Sequence, residues 1–231
     1  MTNEVDQRKR IRNLFARIAA QYDRVNHIIS LGRDQKWRAA ALSKATITPG
    51  SRLLDVATGT GDIALLAKAS VPELNVIGTD LTPAMLLRAK EKDAYRSIPW
   101  VLGDGLRLAF AHNTFDAVIS GFMMRNVPDV QQALGEQLRV VRPGGCVICL
   151  EMTWPQWIPM KWLFKLYFYS LPPLLGRLLT GDRQAYQYLP RSVERFLTPQ
   201  DMASEMEAVG FRRVSWQLMM FGTVAIHTGT K

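Results

Sequence analysis

The sequence is poor in cysteine and has no long apolar run. It contains two cysteines among 231 residues, Cys146 and Cys149, and on a predicted strand their spacing points them to opposite faces. This argues against a disulfide or a shared metal, so we expect buried thiols, no metal site and a reducing cytoplasm. Without a run of about 18 apolar residues we predict no transmembrane helix. The first residues lack the charged-then-apolar pattern of a signal peptide.

The composition indicates a folded, basic protein. Hydrophobic residues make up 48% of the chain and charged residues 21%, so we expect a single domain over residues 1–231 with a sizeable core. A net charge of +9 and a pI of about 9.8 favour anionic partners: nucleic acid, acidic lipid headgroups or acidic substrates. Solvated surface charge is the alternative, so the charge alone does not choose a function.

Residues 53–62 carry the strongest local signal. A short apolar run ends in a turn that contains Gly59, Thr60 and Gly61, and a helical pattern follows from Asp62. Glycine lets backbone approach a ligand, and the first N–H groups of a helix can donate to an anionic group. This stretch therefore predicts a loop that binds a small molecule.

Two classes of cofactor use such a loop. The segment from Gly59 to Ala64, with Asp80 following at a distance, also fits the dinucleotide fingerprint. However, Asp55 on the preceding strand would repel a pyrophosphate, whereas it would attract a ligand that carries an ammonium and a sulfonium. S-adenosylmethionine carries both charges, so we favour it over a dinucleotide. A tight connection without a ligand is the third interpretation.

Beyond this loop the pattern alternates between strands and helices. Such alternation predicts an α/β fold, a Rossmann-like and mostly parallel sheet, preceded by an N-terminal helical lid over residues 1–48. Predicted strands cover residues 53–57, 74–80, 98–103, 115–120, 145–153, 212–219 and 223–230, of which the last two form an antiparallel pair. Predicted helices cover residues 5–20, 34–44, 130–141 and 198–209 and also begin at residues 62 and 82.

Ligands bind beyond the carboxyl ends of the strands in such sheets. Asp80 ends the second predicted strand, where its carboxylate can accept both hydroxyl groups of a ribose. Asp104 and Gly105 follow the third, where the carboxylate can accept from an adenine amino group, and Ser120 ends the fourth. Each aspartate taken alone could equally be a helix cap or a turn residue.

These stretches resemble class I S-adenosylmethionine-dependent methyltransferases, and more narrowly the quinone-biosynthesis C-methyltransferases that act on demethylmenaquinone and on the ubiquinone precursor. Nearly the whole chain takes part. The resemblance is carried by residues 22–26, 55–62, 78–80, 103–104, 115–120, 124–127, 142–145, 188–192 and 224–229. Thr58, Met123 and the bulky residues 219–221 depart from the family pattern, which has smaller residues there.

The resemblance implies a seven-stranded sheet and a cofactor site. By it, Thr60, Asp80, Asp104, Gly105 and Ser120 contact S-adenosylmethionine; together with the loop residues Asp55, Gly59 and Gly61, and with Leu81, they make up the predicted cofactor site. The implied reaction is methylation of demethylmenaquinol to menaquinol, and the same chemistry on a ubiquinone or phylloquinone precursor is the alternative.

Methylation of a quinone ring carbon requires the reduced quinol, because its deprotonation places negative charge on the carbon next to oxygen. The protein must stabilise that phenolate and accept a proton. We expect Arg125 to stabilise the negative charge of the phenolate. We expect Asn126 to orient Arg125 or to bind a ring oxygen, and Tyr22 to bind the other ring oxygen. A solvated Arg125 at a helix start is the alternative, and the sequence does not identify the general base.

The alternation stops at Trp154, and residues 154–197 form a predicted insertion. Its first part is rich in aromatic residues, and we expect Pro172 and Pro173 to interrupt it. The composition suits a prenyl tail and peripheral contact with lipid at the inner face of the membrane, or a plain helical cap.

A homodimer stays open, and we expect no nucleic acid partner. Competing hypotheses are an RNA methyltransferase, a non-catalytic membrane- or RNA-binding module and a dinucleotide oxidoreductase.

Overall fold

The computed structural model describes residues 2–175 and 183–231, and its centre is a seven-stranded sheet. The strands are β1 (Arg52–Val56), β2 (Asn75–Asp80), β3 (Trp100–Leu102), β4 (Phe115–Gly121), β5 (Val141–Met152), β6 (Arg212–Met219) and β7 (Val224–Thr230). Their order is β3-β2-β1-β4-β5-β7-β6, with β1 to β5 parallel and β7 antiparallel to both of its neighbours. The predicted sheet, including its antiparallel C-terminal strand, is confirmed.

Helices cover both faces of this sheet. They are α1 (Thr2–Ile18), α2 (Tyr22–Ile29), α3 (Asp34–Leu42), α4 (Asp62–Ser70), α5 (Pro83–Lys92), α6 (Val130–Val140), α7 (Ile158–Leu175), α8 (Arg183–Glu194) and α9 (Pro199–Val209). Apolar residues of α3 and α4 pack on one face, and those of α6 and α9 pack on the other. Parallel strands buried on both sides explain why the central strands read as nearly continuous apolar runs.

The two cysteines illustrate this layering. Cys146 belongs to the core on one face of β5 and Cys149 to the core on the opposite face, and both are buried free thiols. Burial raises the pKa of the Cys149 thiol to about 12, so it stays protonated. The prediction of buried thiols that cannot pair with each other is confirmed.

The structure differs from the predicted elements in three notable places. An additional helix, α2, lies between the predicted helices at residues 5–20 and 34–44, and it buries Val25 and Ile29. Strand β5 starts at Val141 rather than residue 145, because its first residue pairs with Phe115 before the register shifts. Helix α7 continues through Pro172 and Pro173, although neither proline has the N–H that would bond the carbonyl four residues earlier.

The predicted insertion packs on the N-terminal helices. Phe164 and Phe168 of α7 stack with ring centroids 4.7 Å apart and share a core with Leu14 and Ile18 of α1. Residues 176–182 of the insertion lie outside the described residues. Within the described residues no helix is long and apolar enough to cross a membrane.

Candidate active site

A cavity lies at the carboxyl ends of β1, β2 and β4, and we call it the strand-end cavity. Its floor comes from the loops that follow these strands and its roof from α1. Seven of the residues predicted to bind the cofactor or substrate line it: Tyr22, Gly59, Asp80, Leu81, Asp104, Gly105 and Asn126. Asp55, Thr60, Gly61 and Ser120 do not line it.

Asp55 lies beneath the β1–α4 loop instead of facing the cavity. It is 1% exposed, and its Oδ2 accepts hydrogen bonds from the hydroxyl of Thr58 at 2.6 Å and from the N–H of Ala64 at 3.1 Å. These bonds join the loop to the first turn of α4. Oδ1 of Asp55 is buried without a partner in the described structure. Burial raises the pKa of the Asp55 carboxyl to about 7. Asp55 therefore shapes the loop from below.

The two loop glycines serve different purposes. Both have a positive φ, +58° at Gly59 and +84° at Gly61, which favours glycine. A Cβ at Gly59 would meet nothing within 4 Å, whereas a Cβ at Gly61 would lie 2.5 Å from the ring of Trp100. Gly59 therefore presents open backbone to the cavity, and Gly61 allows the loop to pack on the sheet.

Asp80 is held by backbone donors at the end of β2. Its Oδ2 accepts from the N–H of Gly59 at 2.9 Å and its Oδ1 from the N–H of Thr82 at 2.8 Å. Burial raises the pKa of this carboxyl. Each oxygen keeps a second lone pair, so the carboxylate can still accept two hydroxyl groups, as a ribose requires.

Asp104 meets the N-terminal helix. Its Oδ1 accepts from the N–H of Leu106 at 2.9 Å, and its Oδ2 accepts from Nη1 of Arg8 on α1 at 2.8 Å. The cavity beneath α1 measures about 110 Å³, which is less than the roughly 300–1,000 Å³ of ordinary ligand pockets. The chemistry of the donors and acceptors fits an adenosyl group, but α1 must move outward to admit one.

Thr60 and Ser120 make contacts inside the protein. The hydroxyl of Thr60 donates to Asp23 of α2 at 2.5 Å, and Lys92 of α5 binds Asp23 at 2.9 Å and also Asp62. This cluster fastens α2 over the loop. The hydroxyl of Ser120 donates to Cys149 Sγ at 3.6 Å, and Ser120 is 1% exposed.

A second cavity, the helix-side cavity, adjoins the first. It measures about 50 Å³ and lies between α2, α3, α8 and the residues after β4. Tyr22 and Phe122 line both cavities and form the wall between them. Guanidinium groups lie 5.6 Å (Arg38) and 5.7 Å (Arg125) from the centroid of the Phe122 ring, within cation–π range.

Arg125 is buried and held in place, so it is not a solvated arginine. Its side chain is 6% exposed, it forms an ion pair with the buried Glu151, and its Nη1 donates to the carbonyl of Phe122 at 3.1 Å. Its Nε is buried and has no partner in the described structure. That N–H is therefore a free donor on a fixed cation, which is what an oxyanion needs.

Asn126 and Tyr22 lie beside Arg125. The amide of Asn126 donates to the carbonyl of Phe122 at 2.8 Å and accepts from the hydroxyl of Tyr188 at 3.0 Å. Burial raises the pKa of Tyr22, and the nearby Arg38 and Arg125 partly oppose this. The structure thus brings the three predicted catalytic residues together at one wall.

The sequence alone did not predict the side chains that contact Tyr22, Arg125 and Asn126. Glu151 ends β5, a strand-end position like those of Asp80 and Asp104, so the same rule could have found it. Phe122 has φ +58°, rare for a bulky residue and typical of strain at functional sites. Arg38 carries no comparable signal in the sequence. Among the described residues no group of three or more His, Cys, Asp and Glu side chains is placed to hold a metal ion.

The fold and its strand-end cavity define the class of protein. A solved S-adenosylmethionine-dependent methyltransferase of Thermotoga maritima, described as a possible histamine N-methyltransferase, matches with a TM-score of 0.68 at 16% identity, covering 95% of this chain and 99% of that one. Phosphoethanolamine N-methyltransferase 2 of Haemonchus contortus, solved with S-adenosyl-L-methionine, matches with a TM-score of 0.62 at 16% identity, covering 85% of this chain and 52% of that one. The fold is that of the S-adenosylmethionine-dependent methyltransferases.

Comparison of sequences narrows the class. Residues 1–231 match the model of the ubiE/COQ5 methyltransferase family, and the chain belongs to that family. A demethylmenaquinone methyltransferase of Thermus thermophilus is 40% identical over 220 residues, 94% of this chain and all of that protein. A ubiquinone/menaquinone biosynthesis C-methyltransferase of Desulfotalea psychrophila is 39% identical over 221 residues, 96% of this chain and 90% of that protein. The chain is an S-adenosylmethionine-dependent methyltransferase.

Proposed function

We propose that the protein transfers a methyl group from S-adenosylmethionine to a ring carbon of demethylmenaquinol, giving menaquinol. The names of the relatives that match over nearly their whole length support this substrate. The observation that carries the chemistry is the free Nε of the buried Arg125, beside the wall that separates the two cavities. Bound S-adenosylmethionine supplies an electrophilic methyl group.

The residues near this wall divide the work between the cofactor and the ring. On the cofactor side, the carboxylate of Asp80 accepts the ribose hydroxyls and that of Asp104 accepts from the adenine amino group. On the ring side, Arg125 stabilises the quinolate oxygen through Nε, while Glu151 keeps its guanidinium in place. Tyr22 and Asn126 bind ring oxygens and fix the ring, so that a carbon next to the oxyanion faces the methyl group.

The redox state of the substrate provides the test. We expect radiolabelled methyl incorporation into demethylmenaquinone only when dithionite reduces it, because the oxidised ring has no nucleophilic carbon. Calorimetry should show binding of S-adenosylmethionine and none of NAD, which separates this function from that of a dinucleotide oxidoreductase. Equal labelling of the oxidised quinone would contradict the mechanism. Labelling of RNA, with none of the quinol, would mean that RNA is the substrate.

We also propose that the protein contacts the membrane surface through α7. Four apolar side chains of this helix are largely exposed, Ile158 (67%), Trp162 (69%), Leu163 (60%) and Leu166 (69%), and Lys161 and Lys165 lie among them. Exposed aromatic and aliphatic groups next to lysines suit the boundary between headgroups and acyl chains. This surface would bring a prenylated quinol within reach of the site.

Vesicle flotation tests this second proposal. We expect binding to anionic vesicles that salt weakens but does not abolish, since burial of apolar side chains is not screened. Leu166→Ser should weaken binding, whereas Leu87→Ser, a leucine 58% exposed on α5, should not. Equal effects of the two substitutions, or no flotation at low salt, would remove α7 as the contact.

A further inference from the structure

The proposed methyl transfer releases a proton that the residues named so far do not take. A quinol and a sulfonium react to a methylated quinol and a thioether, so one proton leaves the ring for each methyl group that arrives. Arg125 is a permanent cation and cannot accept it. The inference below rests on the proposed function and assigns this proton an acceptor and a path to solvent.

Asp34 is the carboxylate of the helix-side cavity. It is 5% exposed and lies at the first position of α3. Its Oδ2 accepts from Nη1 of Arg38 at 3.0 Å, and its Oδ1 accepts from the hydroxyl of Ser30 at 3.1 Å. The cavity is too small for a ring, but a ring held at the Tyr22–Phe122 wall can direct a hydroxyl group into it. Asp34 is then an acceptor for the proton of that hydroxyl.

His27 connects this buried carboxylate with solvent. Its Nδ1 lies 3.2 Å from Oδ1 of Asp34, and its side chain is 62% exposed. Each of the two ring nitrogens of an imidazole can donate or accept a proton, so the ring can receive one at Nδ1 and release one at Nε2. A two-residue chain of hydrogen-bonding groups therefore runs from the cavity, through Asp34, to an imidazole in water.

Several charged groups surround this chain. Arg38 bridges Asp34 and Asp62 of α4, with Nη2 3.3 Å from Asp62 Oδ2, and Lys92 of α5 also binds Asp62. Arg125 and Tyr22 line the same cavity. Among these neighbours of Asp34, the cations Arg38 and Arg125 cannot take up a proton, so His27 is the group that can accept one from the carboxylate.

We propose that Asp34 and His27 form the proton exit of the reaction. The carboxylate of Asp34 takes the proton of the quinol hydroxyl, and the electron pair of that O–H bond stays on the ring. Asp34 passes the proton to Nδ1 of His27, and the imidazolium releases its Nε2 proton to water. The C–H proton that the ring loses on regaining aromaticity returns to the ring oxygen, so the net release is one proton.

Substitution of His27 tests the path without disturbing the buried core. We expect His27→Ala to lower the single-turnover rate of methyl transfer about 10²-fold, the low end for general acid–base groups. The rate should then rise with added imidazole, and the acidic limb of the pH–rate profile should change. His112→Ala, an exposed histidine away from both cavities, should match the wild type. Calorimetry should give all three proteins the same affinity for S-adenosylmethionine.

Asp34→Asn provides the second variant, because it keeps the shape and the bond from Ser30. We expect a loss at least as large as that of His27→Ala, and imidazole should not restore it. A His27→Ala enzyme with the wild-type rate and pH profile would overturn the path while leaving the proposed function intact. A loss in His27→Ala that imidazole does not relieve would also overturn it. A wild-type enzyme that labels no quinol would remove both the function and this inference.

Discussion

The two cavities hold their carboxylates in different ways. In the strand-end cavity, both oxygens of Asp80 accept hydrogen bonds from backbone N–H groups, those of Gly59 and Thr82. In the helix-side region, Asp34 and Glu151 are paired with the guanidinium groups of arginines. The first arrangement leaves net negative charge for a cationic ligand with hydroxyl groups, and the second leaves cations that can stabilise an anion.

This difference also sets how each region responds to substitution. Backbone donors stay in place when a neighbouring side chain changes, so losses in the strand-end cavity should be confined to the contact removed. Breaking a buried ion pair leaves an uncompensated charge and costs about 3–5 kcal/mol of stability. Substitution of Arg125 therefore needs a variant that also changes Glu151, whereas Arg38 keeps Asp62 as a partner when Asp34 is changed.

The largest effect is expected at Arg125. Arg125→Met combined with Glu151→Gln removes the cation without leaving a buried carboxylate, and we expect the rate of methyl transfer to fall about 10²–10³-fold. Arg125→Lys keeps the charge but loses the planar fork and should fall less. Single-turnover labelling measures the rate, and calorimetry should show unchanged binding of S-adenosylmethionine. A fully active double variant would contradict the role of Arg125.

The next largest effect is a pH-dependent change in stability at Asp55. Its pKa of about 7 in the folded protein exceeds the 3.8 of the free side chain, so protonation favours the folded state. That contribution is complete below about pH 4, is lost as pH rises to about 7 and amounts to something on the order of 3 kcal/mol. Asp55→Asn should lack this loss, because an amide does not ionise, and its oxygen can still accept from Thr58 and Ala64.

Denaturant unfolding at about pH 4 and about pH 8 checks this prediction. Relative to the wild type, Asp55→Asn should be more stable at the higher pH than at the lower. Asp116→Asn, a carboxylate beside the exposed Arg142 at the opposite end of the sheet, provides a control. A constant difference between Asp55→Asn and the wild type across this range would mean that Asp55 is ionised throughout.

A smaller effect is expected at Asp80. Asp80→Ala should weaken binding of S-adenosylmethionine by roughly 1–3 kcal/mol, the scale of hydrogen bonds to a charged group. Asp80→Asn keeps an acceptor for the N–H of Gly59 and should lose less. Calorimetry measures both affinities, and thermal unfolding shows whether the variants fold. Wild-type affinity in folded Asp80→Ala would locate the ribose elsewhere.

The strand-end cavity was largely predictable from sequence, because its signals are local. A strand, a glycine turn and a helix start lie within residues 53–62, and Asp80 and Asp104 directly follow apolar runs. The sequence did not predict side-chain orientation: Asp55 and Ser120 have the expected positions, and their side chains turn into the protein. A pattern of residue types identifies the strand, whereas the direction of a side chain at its end depends on the packing around it.

The helix-side cavity was much less predictable. Arg125 was predicted from its permanent charge and its position just after Ser120, but Glu151 lies 26 residues away along the chain, and Tyr188 lies 62 residues from Asn126. Contacts over such separations follow from the whole topology and leave no local trace. The same holds for Asp34, which the sequence shows only as the start of a helix. The general base thus became a testable assignment only once α2 and α3 were seen against β4.

The smallest effect is expected at Arg8, and its sign distinguishes two roles of the N-terminal lid. Arg8 now occupies Oδ2 of Asp104, the oxygen that an adenine amino group would use. If the cofactor must displace it, Arg8→Ala should tighten binding of S-adenosylmethionine by no more than about 1 kcal/mol, because the pair is partly exposed. Lys9→Ala removes the same charge from an exposed neighbour and should leave the affinity unchanged. Calorimetry at low and at high salt distinguishes loss of the Arg8–Asp104 ion pair from loss of one positive charge on α1. The effect of the charge alone is screened by salt equally in both variants, so a difference between the variants reports the ion pair. Weaker binding by Arg8→Ala would instead mean that Arg8 stays and closes over the cofactor, and the lid would then belong to the strand-end cavity as one of its ligand-binding walls.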